Sequence, residues 1–426
     1  MNTQSTQNKA PIILVACIMV NLAIGVLYAW SVMKARLTMP VIDGGFGWTV
    51  SQAGFPYSLA IIVFAVALLI GGRIQDKIGP RLVVTAGGAF VGIGLALSGL
   101  VGNSVIGITL CFGVIAATGM GFCYGCVSPP ALKWYHPSKK GLVSGLIVGG
   151  FGLSAVYYAP LTTNLLNNFG ISRALLMIGI GTFIISVSIA QLIKNPPAGY
   201  VPAAPAESPK SGQADSKAPP KTGAPADATW REALGTKRFR MMFLMFLLAS
   251  SVGLMIVGNM TKIAEAQLGI RDAALLALIV SFLGVTNTLG RVMGGVLSDK
   301  IGRINSLFVV ISLQMVNMFA FAFYQNLFAL SIGIILVGFC YGTLLSVMPA
   351  LCADLYGLKN FGMNYGILFL AWGFAGIIAP LIADSLYDAT GSFNTAYIIC
   401  AIMMGAMVFV NYLLKRDIEK GSKAAI

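Results

Sequence analysis

Twelve long apolar segments recur along the chain, and they restrict its possible folds more than any other feature. A helix needs about 20 mostly apolar residues to cross the hydrocarbon core of a bilayer. Hydrophobic residues make up 57% of the chain and charged residues only 10%, whereas a soluble domain carries about 25% charged residues. We therefore predict an all-α integral membrane protein with twelve transmembrane helices. The predicted spans cover residues 11–33, 50–72, 82–102, 105–132, 141–166, 173–194, 239–263, 274–298, 305–325, 328–352, 365–387 and 393–414.

The segment between the sixth and seventh spans has a different composition. Residues 195–228 are rich in Pro, Ala, Ser and Lys and lack apolar periodicity. Such a segment cannot bury enough apolar surface to fold, which indicates a flexible tether. We therefore predict, in chain order, an N-terminal six-helix bundle, a flexible cytoplasmic linker, a C-terminal six-helix bundle and a cytoplasmic tail. These parts cover residues 1–194, 195–238, 239–414 and 415–426.

The formal net charge of +14 would fit a nucleic-acid-binding protein, but the distribution of the charges favours membrane topology instead. If both termini are cytoplasmic, 22 of the 28 Lys and Arg residues fall on the cytoplasmic side and five on the outer side. This bias follows the positive-inside rule. Lys34 is among the five outer residues, and Arg291 is the one residue that belongs to neither side. The prediction is a multi-pass protein of the cell's inner (plasma) membrane, in contact with lipid and not with nucleic acid.

Two short motifs occur twice, in the same order and at nearly the same offset. DKIG occupies residues 76–79 and 299–302, after the second and eighth spans, and GFCYG occupies residues 121–125 and 338–342, in the fourth and tenth spans. The offsets of 223 and 217 residues indicate an internal duplication of a six-helix unit. Duplicated transporters of this layout bind substrate near the membrane midplane, at the interface between the repeats.

The pattern G-x-x-x-D-x-x-G-x-R at residues 72–81, echoed at residues 295–303, resembles the signature of the major facilitator transporters. That resemblance covers the whole chain. It implies two pseudo-symmetric six-helix bundles that work by alternating access, in a transporter that is not an enzyme and needs no cofactor. The segments GVLYAWSV, NTLGRVMGG and NYGILFLAW resemble the oxalate–formate antiporter branch, which is close to the monocarboxylate transporters. These segments cover residues 25–32, 287–295 and 364–372.

Arg291 lies within the predicted eighth span, where an arginine costs at least ~2.5–3.5 kcal/mol on insertion scales. Such a residue normally faces a cavity or a partner. The sequence places it on a polar, small-residue stripe at helical spacing, opposite an apolar side. The stripe comprises Gly284, Asn287, Thr288, Arg291, Gly294, Gly295 and Ser298, and the apolar side comprises Ile279, Leu283, Val285, Leu289, Val292 and Val296.

None of the fourteen acidic residues is predicted at the depth of Arg291, so its counter-ion is predicted to be the substrate, a small carboxylate anion. A guanidinium binds a carboxylate through two parallel, charge-assisted hydrogen bonds. The resemblance agrees, because in both neighbouring families the matching arginine binds the substrate carboxylate. The alternative is that Arg291 bonds only backbone carbonyls or extends to the cytoplasmic surface.

Other candidate substrate-binding residues come from several spans. Tyr124 and Tyr341 belong to the two GFCYG copies, so the duplication predicts them on opposite sides of a central cavity. A phenol offers such a cavity a hydroxyl donor and an apolar ring. The resemblance adds the aromatic residues Tyr28, Trp30 and Phe151. The alternatives are membrane-interface tyrosines for the first two, and core packing for Trp30 and Phe151.

Two positions depart from the family patterns. Where the oxalate antiporter pattern has a lysine, this chain has Trp372. With one cation in the membrane, a monocarboxylate such as lactate, pyruvate or formate is favoured over oxalate, because an unpaired buried carboxylate is costly. Where related monocarboxylate transporters often carry an aspartate, this chain has Asn287, which could hold the guanidinium or a substrate hydroxyl but does not titrate. Proton symport would then need another carrier, such as Asp384, whereas anion exchange or uniport needs none.

Charged pairs at the two DKIG turns are candidates for a gate at the cytoplasmic helix ends. These pairs are Asp76 with Arg81 and Asp299 with Arg303. A carboxylate can cap a helix N-terminus or pair with an arginine, and such contacts would stabilise an outward-open state. The alternative is that all four are solvated turn charges that serve membrane topology.

The sequence thus leaves several functions in competition. A carrier of small monocarboxylates, moving its anion alone, with a proton or against a counter-anion, is the preferred hypothesis. An oxalate–formate type exchanger, a non-transporting membrane sensor of carboxylates and an exporter of lipophilic drugs are the alternatives. No metal site is predicted, and the protein is expected to be a monomer.

Overall fold

The computed structural model describes residues 9–136, 140–197, 200, 227–357 and 360–423, and these residues form helices and connecting turns without a strand. Within that part of the chain, eleven helical segments are long and apolar enough to cross a membrane. The spans outside the fifth and sixth are α1 (Lys9–Thr38), α2 (Val50–Ile78), α3 (Pro80–Leu100), α4 (Val105–Leu132), α7 (Lys237–Leu268), α8 (Ala273–Ile301), α9 (Arg303–Phe321), α10 (Leu327–Tyr356), α11 (Phe361–Thr390) and α12 (Asn394–Lys423).

The fifth and sixth spans are joined in one of the eleven segments. Val143–Ala190 has 48 residues, about 70 Å of helix at 1.5 Å per residue, whereas the hydrocarbon core is about 30 Å thick. The helix is broken at Gly170, whose φ of 72° and ψ of 176° are not helical. We therefore divide it into α5 (residues 140–169) and α6 (residues 171–190), and with this division the described residues contain the predicted twelve transmembrane helices.

The duplicated motifs have equivalent backbone geometry. Gly79 ends α2 with φ 87° and ψ 163°, and Gly302 ends α8 with φ 89° and ψ 152°. A positive φ of this kind is readily adopted only by glycine. The two DKIG sequences therefore build the same turn in the two halves of the molecule, as the duplication predicts.

The glycines of the GFCYG copies are sites of close helix approach. A Cβ at Gly121 in α4 would lie 2.4 Å from the carbonyl oxygen of Phe64 in α2. A Cβ at Gly342 in α10 would lie 2.1 Å from the carbonyl oxygen of Asn287 in α8. Small residues allow membrane helices to approach in this way. The repeat is thus explained by packing: α4 on α2 in one half, and α10 on α8 in the other.

The predicted linker contains a short helix near its end. Residues 201–226 lie outside the described residues, but Trp230–Gly235 forms a short helix with a capping box between Thr229 and Glu232. The Nδ2 of Asn364, at the start of α11, donates to the carbonyl oxygen of Ala228 at 2.9 Å. The prediction of a flexible segment up to residue 238 is therefore wrong for its last part, because a local helix-start signal and a contact with α11 fix it to the C-terminal half.

Candidate substrate site around Arg291

Arg291 is buried, with 5% of its surface exposed, and faces the interface between the two halves. Its Nε donates to Asn287 Oδ1 at 3.1 Å, its Nη1 to the carbonyl oxygen of Val148 at 3.1 Å, and its Nη2 to the hydroxyl of Tyr28 at 2.9 Å. Tyr28 and Val148 belong to the N-terminal half. Every acceptor in these bonds is neutral, and no Asp or Glu of the described chain forms an ion pair with Arg291.

The stripe predicted on α8 largely matches the observed burial. Gly284, Asn287, Arg291, Gly294 and Ser298 are buried. On the opposite side Leu289, Val292 and Val296 are about half exposed, as expected for lipid-facing residues, whereas Ile279 and Leu283 are buried. The apolar side therefore faces lipid only along the half of α8 that follows Asn287.

Asn287 holds the guanidinium and retains an unused donor. Its Oδ1 accepts from Arg291 Nε and, at 3.3 Å, from the hydroxyl of Tyr28. Its side chain is completely buried, and its Nδ2 has no hydrogen-bond partner among the described residues. A buried amide donor without a partner is costly. An oxygen atom of a bound molecule next to Arg291 would satisfy it.

A break in α1 presents Tyr28 to Arg291. Residues Gly25–Ala29 form a 3₁₀ turn inside the helix, and such a turn frees carbonyl groups that lipid cannot satisfy. Side chains of α5 satisfy them instead: the hydroxyl of Ser154 donates to the carbonyl oxygen of Gly25 at 2.8 Å and that of Tyr157 to Leu22 at 2.7 Å. These two hydrogen bonds stabilise the break in α1 next to the candidate site.

A glycine in α5 gives α8 room to reach the N-terminal half. A Cβ at Gly152 would lie 2.9 Å from Thr288 Oγ1 and 3.0 Å from Asn287 Oδ1. The preceding residue, Phe151, packs edge-on against Tyr28 at 5.6 Å between ring centroids. The α5 segment GGFGLS (residues 149–154) therefore supplies both a close approach and an aromatic wall beside the guanidinium.

Tyr124 belongs to an aromatic cluster beside Arg291. Its ring centroid lies 5.2 Å from that of Phe151, 5.4 Å from that of Phe64 and 6.4 Å from that of Phe369 in α11. The tyrosine also lies close enough to the guanidinium to interact with it. The duplication predicted Tyr124, but Phe64 and Phe369 were missed, because only long-range packing brings them here.

Tyr341, the second GFCYG tyrosine, is linked to Trp372. The indole Nε1 of Trp372 donates to the hydroxyl oxygen of Tyr341 at 2.7 Å, and the Tyr341 ring lies against α7 at Gly253. Because the indole supplies the donor, the hydroxyl proton of Tyr341 is available to another acceptor. Tyr341 also lies near enough to Arg291 to interact electrostatically with it.

Replacing Tyr341 by phenylalanine is expected to raise the KM for the carried anion about tenfold, because the anion loses the hydroxyl donor of Tyr341, and a hydrogen bond to a charged group contributes about 1.5–3 kcal/mol. Tyr124→Phe is expected to raise KM to a smaller extent. Initial uptake rates over a range of substrate concentrations measure both effects. Tyr412→Phe is the control, because Tyr412 is 52% exposed in α12. An unchanged KM in Tyr341→Phe would contradict a role in binding.

Trp30 is held elsewhere in the N-terminal half. Its Nε1 donates to the carbonyl oxygen of Ala53 at 3.0 Å, and its ring stacks on Phe112 at 4.1 Å. These contacts support the packing alternative for Trp30. None of its described contacts joins it to the residues around Arg291.

Lys34 corrects the sequence-based count of membrane charges. It was assigned to the outer surface, but only 1% of it is exposed, and its Nζ lies 2.6 Å from Asp384 Oδ1. Asp384 is itself fully buried. The prediction of a single cation inside the membrane is therefore wrong. The Lys34 charge is matched by a carboxylate, however, whereas no carboxylate of the described residues pairs with Arg291.

The candidate gate pairs are only partly observed. Arg81 donates from Nε and Nη2 to Gln191 Oε1, at 2.8 and 2.6 Å, and the side chain of Asp76 lies outside the described residues. Arg303 pairs with Asp299, as predicted, and also with Asp354 at 3.3 Å. All three residues belong to the C-terminal half, so this pairing ties the start of α9 to α8 and α10 and does not join the halves.

The matches to known proteins agree with this architecture. The family model described as Major Facilitator Superfamily matches residues 13–327 and 315–425. The chain belongs to the major facilitator superfamily. A crystal structure of a bacterial homolog to the human lysosomal transporter Spinster, in an inward-facing and unoccupied conformation, superposes on this major facilitator with a TM-score of 0.63. The alignment covers 97% of both chains at 14% identity, and it supports the fold.

Curated relatives of this major facilitator include transporters of small carboxylates. It is 28% identical to the oxalate:formate antiporter of Oxalobacter formigenes, over 89% of this chain and 84% of the relative. It is 24% identical to human monocarboxylate transporter 2, over 90% of both chains. The uncharacterized MFS-type transporter YhjX of Escherichia coli is 28% identical over 88% of both chains. These relatives confirm the branch to which the sequence motifs point.

Proposed function

We propose that this protein carries a small monocarboxylate of the lactate, pyruvate or formate type across the cell's inner membrane, by alternating access of its two halves. One observation carries the proposal: the buried Arg291 guanidinium lies where the halves meet and, within the part of the chain that the structure describes, is bonded only to neutral acceptors. The 22-to-five distribution of basic residues supports an orientation with both termini in the cytoplasm.

An anionic ligand suits the donors around the guanidinium. A carboxylate and a guanidinium form two parallel, charge-assisted hydrogen bonds between opposite charges, which neutral acceptors such as a carbonyl or a hydroxyl cannot match. The carboxylate could therefore displace the carbonyl oxygen of Val148 or the hydroxyl of Tyr28. The Nδ2 of Asn287 and the hydroxyl proton of Tyr341, which bond to no described residue, offer two further donors. Keto, hydroxyl or carboxylate oxygens of a small acid are suitable acceptors for them.

The charge balance supports a ligand with one negative charge. Lys34 is already paired with Asp384, so Arg291 is the buried cation that lacks a carboxylate partner in the described chain. Trp372 occupies the position of the second cation in the antiporter pattern, and its indole is committed to Tyr341. A second carboxylate on the ligand would therefore be buried without a cation, at a substantial cost.

An uptake panel tests the substrate class. Purified protein in proteoliposomes is expected to accumulate or exchange labelled lactate, pyruvate or formate, and excess unlabelled oxalate is expected to compete weakly. The 28% identity to an oxalate:formate antiporter favours the second candidate, an oxalate–formate type exchanger. Strong oxalate inhibition would favour that candidate and contradict the charge argument. Ligand binding without uptake would instead indicate a sensor. Uptake measured with and without a pH gradient separates proton symport from exchange or uniport.

Trp372→Lys is expected to shift preference toward a dicarboxylate by at least about tenfold, because a second cation then faces the ligand. The measurement is the ratio of oxalate to pyruvate uptake. Trp230→Lys is the matched control, because Trp230 lies in the linker helix and is 37% exposed. An unchanged ratio in Trp372→Lys would show that position 372 does not face the ligand.

A further inference from the structure

A buried ion pair joins the two halves at the end of the molecule opposite the linker. Lys34 near the end of α1 pairs with Asp384 near the end of α11, and its Nζ also donates to Asn259 Oδ1 in α7 at 2.7 Å. All three side chains are at most 1% exposed. The charged side chain of the N-terminal half is thus held by two residues of the C-terminal half.

A glycine of α2 makes room for this pair. A Cβ at Gly54 would lie 1.8 Å from Asp384 Oδ2 and 3.0 Å from Lys34 Nζ. The carboxylate therefore packs directly against the backbone of α2. Any side chain at position 54 would displace Asp384 from Lys34.

Further contacts at the same end also cross between the halves. Asp388, one turn beyond Asp384, accepts from the backbone N–H groups of Val50 and Ser51 at 2.7 and 2.8 Å. A carboxylate at a helix N-terminus is favoured by the helix dipole. Between this end and Arg291, the hydroxyl of Thr261 donates to that of Ser31 at 3.2 Å. The α1 face that carries Tyr28, Ser31 and Lys34 is thus covered by the C-terminal half.

These contacts can form only while this end is closed. A buried ion pair compensates the loss of hydration only when both partners are present, and removing one of them leaves an uncompensated buried charge. Separation of the halves would return both charges to water. The other charged groups near the pair are Asp388 and Lys262, and Lys262 is paired with Glu265 within α7.

We propose that Lys34, Asp384 and Asn259 form a charge lock that closes the outer end of the carrier, and that Asp384 is a gate residue and not the carrier of a coupled proton. This inference rests on the alternating access of the proposed function, but not on the identity of the substrate. In the closed state Lys34 is protonated and Asp384 is ionised. A proton taken up by Asp384 while the outer end is open must return to the same side before the lock can form again. The lock therefore moves no proton inward.

Cysteine accessibility tests the lock without any substrate. Ser31→Cys places a thiol between the lock and Arg291, and a membrane-impermeant maleimide added from outside reports whether the outer end is open. The seven native cysteines are all buried, and the parent protein gives their background rate. In this background, Lys34→Met and Asp384→Asn are each expected to increase the labelling rate about tenfold, because each leaves a closed-state group unpaired.

The double variant Lys34→Met/Asp384→Asn is expected to restore slow labelling, because it leaves no buried charge. Gly54→Ala is expected to increase labelling although it changes no charge, whereas Gly72→Ala in the same helix has no atom within 4 Å of its new Cβ and serves as its control. Lys262→Met is the control for loss of a lysine, since its partner Glu265 lies in the same helix. Unchanged labelling in both single variants would overturn the lock.

Transport measurements distinguish a gate residue from a proton carrier. If Asp384 is a gate residue, Asp384→Asn is expected to lose both net uptake and exchange, and the double variant is expected to recover exchange. If Asp384→Asn keeps exchange and loses only uptake driven by a pH gradient, Asp384 carries the proton and the proposal is wrong. The labelling outcome stands even if the transported molecule is not a monocarboxylate, so the two proposals fail separately.

Discussion

Replacement of Arg291 by alanine is expected to reduce uptake at least a hundredfold and to leave the amount of folded protein unchanged. Removing one partner of a buried, hydrogen-bonded charge pair costs about 2–5 kcal/mol, and a hundredfold effect corresponds to about 2.7 kcal/mol. The fold is expected to tolerate the change, because the guanidinium is a buried charge that no carboxylate of the described residues neutralises. Arg291→Lys is also expected to fail, since an ammonium lacks the planar fork that binds a carboxylate.

Initial uptake rates, normalised to the protein content of the proteoliposomes, measure this effect. Arg271→Ala is the matched control, because Arg271 lies in the exposed segment between α7 and α8. Near-normal uptake by Arg291→Ala would exclude this site, whatever the substrate. A loss of folded protein would show instead that the guanidinium is mainly a structural bridge between the halves.

Gly342→Ala is expected to destabilise the C-terminal half by about 3 kcal/mol, the upper end of the usual range for overpacking a core. The new Cβ would lie 2.1 Å from the carbonyl oxygen of Asn287 and 2.8 Å from the backbone nitrogen of Arg291. Both contacts are backbone atoms, which cannot rotate away. Because α8 would have to shift, the substrate site is expected to be disturbed together with the fold.

Thermal unfolding of the purified protein in detergent measures the loss of stability. Gly295→Ala is the control, since a Cβ at this position of α8 meets no atom within 4 Å. Equal melting temperatures for the two variants would contradict the packing explanation for the repeated GFCYG motif.

The fold was predictable from the sequence because its signals are local. Apolar length defines a span, and a repeated turn such as DKIG marks equivalent helix ends. The predicted start of α4, at residue 105, agrees with the structure. The two predicted spans 141–166 and 173–194 correspond to α5 and α6, which separate at Gly170. Thr229 and Glu232 form the capping box of the short helix Trp230–Gly235. This helix was not predicted, because it directly follows the Pro-rich residues 195–228.

The candidate site was predictable where one helix, the duplication or the resemblance points to its residues. The stripe on α8 revealed Arg291 and Asn287 through their spacing. The partners of Lys34 could not be found in the same way, since Asp384 is 350 positions away in sequence and no periodicity connects them. The observed contact of Arg81 with Gln191 was missed for the same reason, because it links α3 to the end of α6.

The bonds of Arg291 to Tyr28 and Val148 have a thermodynamic consequence. The guanidinium belongs to one half of the molecule, and both of these acceptors belong to the other. A ligand that replaces Val148 or Tyr28 as an acceptor for Arg291 must weaken the contact between the halves. Ligand occupancy and the relative position of the halves are then linked. By reciprocity, a shift of the halves changes the affinity for the ligand by the same factor by which the ligand changes the equilibrium between the two arrangements of the halves.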